Sequence, residues 1–256
     1  MRDRTSSLRK ALSILDAFNE HDTGVSMLEL SRRTNFPKST THRLVTDLVS
    51  WGGIERTPGG LRIGLRLFER GQLARSVSLR EIARPYLEDL RQATNKTVNL
   101  AVRDGTDVVY VEKLIGRSSR ASQSRAGGRL PLHCTAMGKA ILAFSNESLV
   151  KEMLQEPLRP MTESTITNPV ALRTELAMIR RDRVAFDSEE SVRGIICVAS
   201  PLMSSDGVVI GAVSITGFES IVDCRKVTTA LLTASFSLSR RLVRFPAETM
   251  QKLPGD

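Results

Sequence analysis

Cysteines, long apolar runs and acidic residues are all in short supply in this chain, and each shortage excludes something. Three cysteines, Cys134, Cys197 and Cys224, lie far apart with no C-x-x-C pair. Their odd number and spacing argue against a disulfide framework or a zinc ribbon, and free thiols fit a reducing compartment. No apolar run approaches the roughly 18 residues needed to cross a bilayer. Met1-Arg2-Asp3-Arg4 leads into no apolar signal segment, so the expected location is the cytoplasm, with no membrane partner. Also missing are a G-x-S-x-G elbow, a P-loop and an H-E-x-x-H pair, so no catalytic residue, metal or cofactor is expected.

The shortage of acidic groups points to a partner. There are 28 Asp and Glu against 37 Lys and Arg, a net charge of +9. That excess favours an anionic partner, nucleic acid before membrane. The 256 residues suffice for one large domain or two ordinary ones, and 41% apolar with 25% charged residues is a globular balance.

The first part of the chain has a readable order. Leu8, Ala11, Leu12, Leu15 and Phe18 recur at helical spacing, predicting an amphipathic helix that ends near Asn19. Ser26-Met27-Leu28-Glu29 is a capping box, in which the serine hydroxyl takes the Glu29 amide and the glutamate reaches back to the Ser26 amide. The short helix it opens stops by Asn35-Phe36. Pro37 suits the first turn of a third helix over 37–50, which Gly52-Gly53 ends. Residues 54–57 and 61–63, around Pro58-Gly59-Gly60, read as a small hairpin.

Beyond it, a helical stretch over 65–94 is expected to break near 76–78 and kink at Pro85. Strands follow over 97–103 and 108–114, then a mobile loop over 117–129 that is rich in Ser, Gly and Arg. A helix runs through Met137-Gly138-Lys139-Ala140, and Asn168 caps another over 169–183. Strands over 184–187, 195–201 and 208–216 and a final helix over 224–242 complete an antiparallel sheet flanked by helices. The predicted class is α+β.

Two helices joined by a tight turn, the second polar on its exposed face, followed by a basic hairpin, describe a winged helix-turn-helix. A helix fits the major groove of duplex DNA, and its first two turns reach the base edges. Here those turns carry Lys38, Ser39, Thr40, Thr41, His42 and Arg43, and the hairpin adds Arg56 and Arg62 for the neighbouring backbone or minor groove. Taken alone, Ser39-Thr40-Thr41 reads more readily as a solvated helix start, where hydroxyls serve as caps; the capping box, the turn and the basic wing together reverse that reading.

Several segments together resemble the IclR family of transcription regulators. These are residues 7–15, Pro37-Lys38-Ser39-Thr40-Thr41-His42-Arg43-Leu44, residues 97–102, residues 131–140 and residues 194–201. The resemblance spans roughly Ser6 to Leu242. It implies a winged helix-turn-helix over 5–66, a linking helix over 67–80 and a GAF-like effector-binding domain over 81–244. It also implies a homodimer or dimer of dimers on double-stranded operator DNA, acting as a repressor and tuned by a small organic or aromatic acid. By the same resemblance Ala136, Met137, Asp187, Ile195, Cys197, Ser214 and Thr216 line the effector pocket, Asp187 accepting from a ligand hydroxyl or water. There are departures. Asn35-Phe36 stands where the family usually has Gly-Leu, the wing lacks the usual tyrosine before Gly64, and Asn95-Lys96-Thr97 replaces the common Gly-Glu-Thr.

Two other readings stay open at this stage. Cys134 or Cys197 could serve as a nucleophile or oxidisable thiol, although His133 and Cys134, as neighbours on an extended segment, would point to opposite faces. Alternatively, Ser214 and Thr216 simply pack a sheet face against a helix and the chain binds DNA without a ligand.

Overall fold

Two serines start the first two helices of the computed structural model, which describes residues 6–117, 125–218 and 220–242. Ser6 Oγ accepts from the Arg9 amide at the head of α1 (Ser7–Asp16), and Ser26 Oγ accepts from the Glu29 amide at the head of α2 (Met27–Thr34). The expected capping box is only half made. Glu29 directs its carboxylate to Arg32 and Arg33 instead of the Ser26 amide, since charged guanidinium donors are stronger partners than a neutral N–H. Asn35 closes α2 in the left-handed region at φ 55°, which an asparagine tolerates where glycine is more usual. α3 (Lys38–Trp51) follows, then a wing of β1 (Ile54–Thr57) and β2 (Gly60–Ile63).

Ile14, Val25, Leu30, Leu44, Val45, Ile54 and Leu61 bury one core between these elements. Val25 and Leu61 exchange both backbone hydrogen bonds at 2.9 Å, so the segment before α2 runs as a short third strand against the wing. Only glycine permits that approach, because a Cβ on Gly24 would sit 2.1 Å from the Gly59 carbonyl oxygen. α4 (Leu65–Gly71) leaves the wing directly. Arg66 Nη1 donates to the Trp51 carbonyl at 2.8 Å, and its guanidinium lies 5.2 Å from the Trp51 ring centre. α4 is thereby fastened to the end of α3. All of this belongs to the first of two compact units, Met1–Ala74.

The second unit, Arg75–Asp256, opens with α5 (Arg75–Thr94), which carries Pro85 within it. The helical stretch expected to break near 76–78 breaks earlier, at 72–74, just past Gly71, whose missing side chain makes it a poor helix former. The unit is built on a six-stranded antiparallel sheet of order β5-β4-β3-β8-β7-β6. Its strands are β3 (Thr97–Asp104), β4 (Asp107–Leu114), β5 (Arg129–Pro131), β6 (Ala185–Ser188), β7 (Ile196–Met203) and β8 (Val209–Thr216). Residues 118–124 of the predicted mobile loop lie outside the described residues. The end of that loop is not free: Tyr110 exchanges backbone bonds with Gly127 and Gly128, and β5 pairs with β4.

Alternation splits the sheet into two faces. Val98, Leu100, Val198, Val213 and Ile215 face one core with Leu79, Leu87 and Leu90 of α5. That core is closed by α9 (Ile221–Lys226) and α10 (Thr228–Arg241), two helices where one was predicted. Ala101, Ala185, Ala199 and Ala212 face the other core with α6 (Ala136–Ala143), α7 (Glu147–Gln155) and α8 (Pro169–Asp182). Asn168 caps α8 as predicted. α7, unforeseen, begins at Asn146, whose side chain accepts from the Leu149 amide. Among the described residues no helix is long and apolar enough to cross a membrane, and no group of His, Cys, Asp and Glu could hold a metal.

Candidate functional site

The first turn of α3 is open. Pro37 supplies no side-chain cap, and the first intrahelical bond runs from the Thr41 amide to the Pro37 carbonyl at 2.9 Å. The amides of residues 38–40 therefore precede the hydrogen-bonded ladder and sit at the positive end of the helix dipole, a seat for an anion such as phosphate. Lys38, Ser39, His42 and Arg43 are exposed and Thr40 is half-buried. Arg43 lies 3.9 Å from Asp47, a loose surface pair that leaves the guanidinium available.

Thr41 departs from expectation. It is fully buried, and its Oγ1 donates to the Pro37 carbonyl at 3.2 Å. One helical turn holds 3.6 residues, so six consecutive positions cannot all face outward. Thr41 falls on the stripe with Leu44 and Val45, and it packs the helix rather than touching DNA. The wing arginines are both exposed, but they leave the ribbon on opposite faces: Arg56 is paired across from Leu61, and Arg62 from Glu55. Arg62 Nε also donates to the Thr23 carbonyl, tying the wing to the segment ahead of α2.

In the second unit the register sets polar residues in rows on the face covered by α6. Asp187, Cys197, Thr216 and Thr97 are successive partners across four strands, and Ala185, Ala199, Ser214 and Asn99 form the next row. Cys197 Sγ meets Thr216 Oγ1, and Asn99 Nδ2 donates to Ser214 Oγ at 3.2 Å. Ala136 and Met137, buried at the start of α6, share a core with Ala185, Ala199 and Cys197. The ladder of α6 starts at Lys139, whose amide donates to the Thr135 carbonyl at 2.9 Å, while Thr135 Oγ1 takes the Gly138 amide at 3.0 Å. A Cβ on Gly138 would lie 2.1 Å from the Leu132 carbonyl oxygen, so this helix start is pressed against the preceding 3-10 turn, Leu132–Cys134.

Asp187 is not the open acceptor that was expected. Its Oδ1 accepts from the Glu190 amide at 2.7 Å and its Oδ2 from Ser191 Oγ at 2.6 Å, so the carboxylate anchors the loop after β6. Burial raises its carboxyl above the usual range. Half-buried Ile195 closes the same loop through its backbone, its carbonyl taking the Glu189 amide at 3.0 Å.

Three residues here escaped sequence reasoning. Lys139 is fully buried, its Nζ 2.5 Å from Glu190 Oε1 and 3.4 Å from Glu175 Oε1. Glu190 Oε2 and Asn99 Oδ1 are buried and have no hydrogen-bond partner among the described residues. Burial pushes the Glu190 carboxyl up to about 7 against the pull of Lys139. A charge inside the apolar run of α6, and an amide inside Val98-Asn99-Leu100-Ala101, were the available signals.

The thiol reading loses its footing. Burial pushes Cys134 and Cys224 up to about 12 and Cys197 well above the ordinary thiol range, so all three stay protonated near neutrality. His133 and Cys134 lie on a 3-10 turn, not on an extended segment, and the His133 ring is engaged by the Arg159 carbonyl at 2.9 Å.

Similarity to known proteins agrees with both halves of this geometry. Residues 7–58 match the model of the IclR helix-turn-helix domain, and residues 71–240 match that of the bacterial transcriptional regulator IclR C-terminal domain. The HTH-type transcriptional regulator XynR of Escherichia coli (strain K12) is 35% identical over 243 residues, covering 92% of this chain and 96% of XynR. The DNA-binding transcriptional repressor YiaJ of the same organism is 34% identical over 219 residues, 83% of this chain and 78% of YiaJ. The crystal structure of an IclR homolog complexed with 4-hydroxybenzoate, from Microbacterium hydrocarbonoxydans, aligns with a TM-score of 0.78 at 29% identity over 91% of this chain and all of that one (100%). This chain belongs to the IclR family of bacterial transcriptional regulators.

Proposed function

We propose that this chain is a cytoplasmic repressor without enzymatic activity, binding operator DNA as a homodimer or dimer of dimers and adjusting its grip when a small organic acid enters the second unit. The observation that carries the DNA half is the uncapped first turn of α3, where free amides stand beside exposed Lys38, Ser39, His42 and Arg43. In this reading the amides and Lys38 seat a phosphate, Ser39, Thr40, His42 and Arg43 face base edges, and Arg56 and Arg62 hold the flanking backbone from the two faces of the wing.

The ligand half rests on the polar rows beneath α6. Ala136 and Met137 bring helix-start amides to the site for a carboxylate, Ser214, Thr216 and Cys197 offer short polar groups, and Asp187 and Ile195 fix the loop at its edge. The relative solved with 4-hydroxybenzoate supports an acid as the ligand. Binding that favours one arrangement of the helices leading to the DNA-reading unit shifts operator affinity, at about 1–3 kcal/mol per site. The coupling is reciprocal, so calorimetry of an acid that binds, with and without the operator taken from DNA flanking the protein's own gene, is the test. Different ligand affinities in the two titrations are expected; equal affinities would remove the allosteric half. Absence of any salt-sensitive preference for one duplex over random competitor would remove the DNA half.

A further inference from the structure

Leu28 is 61% exposed in the first turn of α2, two residues past the capping Ser26. A lone surface leucine is ordinary. This one, with Met27, forms one wall of an open cleft of about 410 Å³ whose other wall is Lys38, Ser39 and His42 of α3. Lys38 and His42 are four residues apart, so they share the flank of α3 that turns toward the start of α2. Arg43 follows about 100° further round the helix and does not line the cleft. Although three of the five lining residues are polar, the surface they present there is nearly all carbon. Long polar side chains commonly show their stems in this way while their heads stay in water.

We infer that Leu28 is a specificity-determining residue that reads thymine, its side chain and the cleft beside it taking the C5-methyl group of a thymine in the major groove. The inference rests on the proposed reading of α3 as the helix that enters that groove. Continuity selects the occupant: the cleft opens among Lys38, Ser39 and His42, so a duplex gripped by those residues lies across its mouth. Chemistry selects the group, because the thymine methyl is the only methyl that the four base pairs offer in the major groove. Charge argues against a second copy of the chain. The rim carries Lys38 and the uncapped amides of α3, which favour a polyanion over another molecule of net charge +9. Leu28 and Arg43 therefore address different base pairs, one by an apolar contact and the other by hydrogen bonds.

The test uses the full-length protein and a duplex selected by it from a random library. Each thymine of that duplex is replaced singly by deoxyuridine, which removes the methyl and nothing else, and affinity is read by fluorescence anisotropy at one salt concentration. At least one thymine in each half-site should show a loss of about four-fold, the worth of one buried methyl group. Leu28→Ala should bring that loss to within about 1.5-fold, and Leu28→Met should keep most of it. Arg43→Ala should leave it unchanged. A duplex with no methyl-sensitive thymine, or a sensitivity that Leu28→Ala does not move, overturns the inference. In that case the leucine meets only the sequence-blind sugars or water, and the DNA reading stands. A change of oligomeric state in Leu28→Ala, seen by sedimentation, with the methyl response intact, makes the cleft a contact between copies and also overturns it. If no duplex is enriched at all, the reading of α3 itself falls and takes the inference with it.

Discussion

Lys139, the one charged residue of α6, holds its ammonium 2.5 Å from the Glu190 carboxylate with both side chains withdrawn from solvent. Removing one partner from a buried pair strands the other charge, at about 3–5 kcal/mol, whereas replacing both with apolar groups costs far less. Lys139→Met should therefore destabilise the second unit by about 3–5 kcal/mol, and Lys139→Met with Glu190→Leu should recover most of that. Urea unfolding of the two variants measures it; a double variant as unstable as the single would mean the pair is not acting as a unit.

Glu190 also sets a pH dependence. Its carboxyl is lifted to about 7 in the fold, against about 4.5 in the unfolded chain, by burial, with Lys139 opposing and Asp187 and Glu175 adding to the rise. Between those values the native state holds more protons than the unfolded one. Its contribution is thus complete below about pH 4.5 and fades as pH rises through 7, by up to about 3 kcal/mol. Half-buried Asp22 and Glu29, held down to about 2 by Arg33 and Arg32, act in the opposite direction only under acid conditions. The stability lost between pH 5 and pH 7.5 should shrink in Glu190→Gln when both proteins are unfolded in urea.

Neighbours on α3 should behave differently. Thr41→Val sits in the core and should leave operator affinity within about two-fold once the protein is folded. Arg43→Ala should cost about 1–3 kcal/mol on the specific site if Arg43 reads a base. Arg62→Ala should weaken all sequences alike and lower the salt slope by about one. Gel shifts over a salt series separate the three, and identical behaviour of the two arginine variants would refute their separate roles.

The thiols give a simple chemical check. With Cys134 and Cys224 held near 12 by burial, the native protein at pH 8 should react with an alkylating reagent on the order of a thousand-fold more slowly at these sites than in denaturant. Rapid labelling of a single native cysteine would reopen the redox reading.

Much of this architecture was legible because it is local. The serine at position 26, the left-handed Asn35 and the turn at Pro58-Gly59 announce themselves within a few residues, and strand alternation fixes which side chains share a face. What stayed hidden depends on partners far along the chain. Glu29 follows the box spacing, yet Arg32 and Arg33 outcompete the Ser26 amide. Thr41 belongs to a hydroxyl run, and only the helix phase against Leu44 and Val45 turns it inward. Lys139 and Glu190 are 51 residues apart, so nothing local could pair them. Asp187 reads as an open acceptor until its loop is seen folding back onto it.

The stacking of Arg66 on Trp51 has a practical consequence. Trp51 is the only tryptophan in the chain and lies where α3 ends, and its partner sits in α4, the helix that follows the wing in the chain. Indole emission shifts when a stacked cation departs and water takes its place. The protein thus contains its own label-free optical reporter of whether α4 stays docked, and stopped-flow fluorescence after mixing with an acid would time the signal's arrival at the DNA-reading helix.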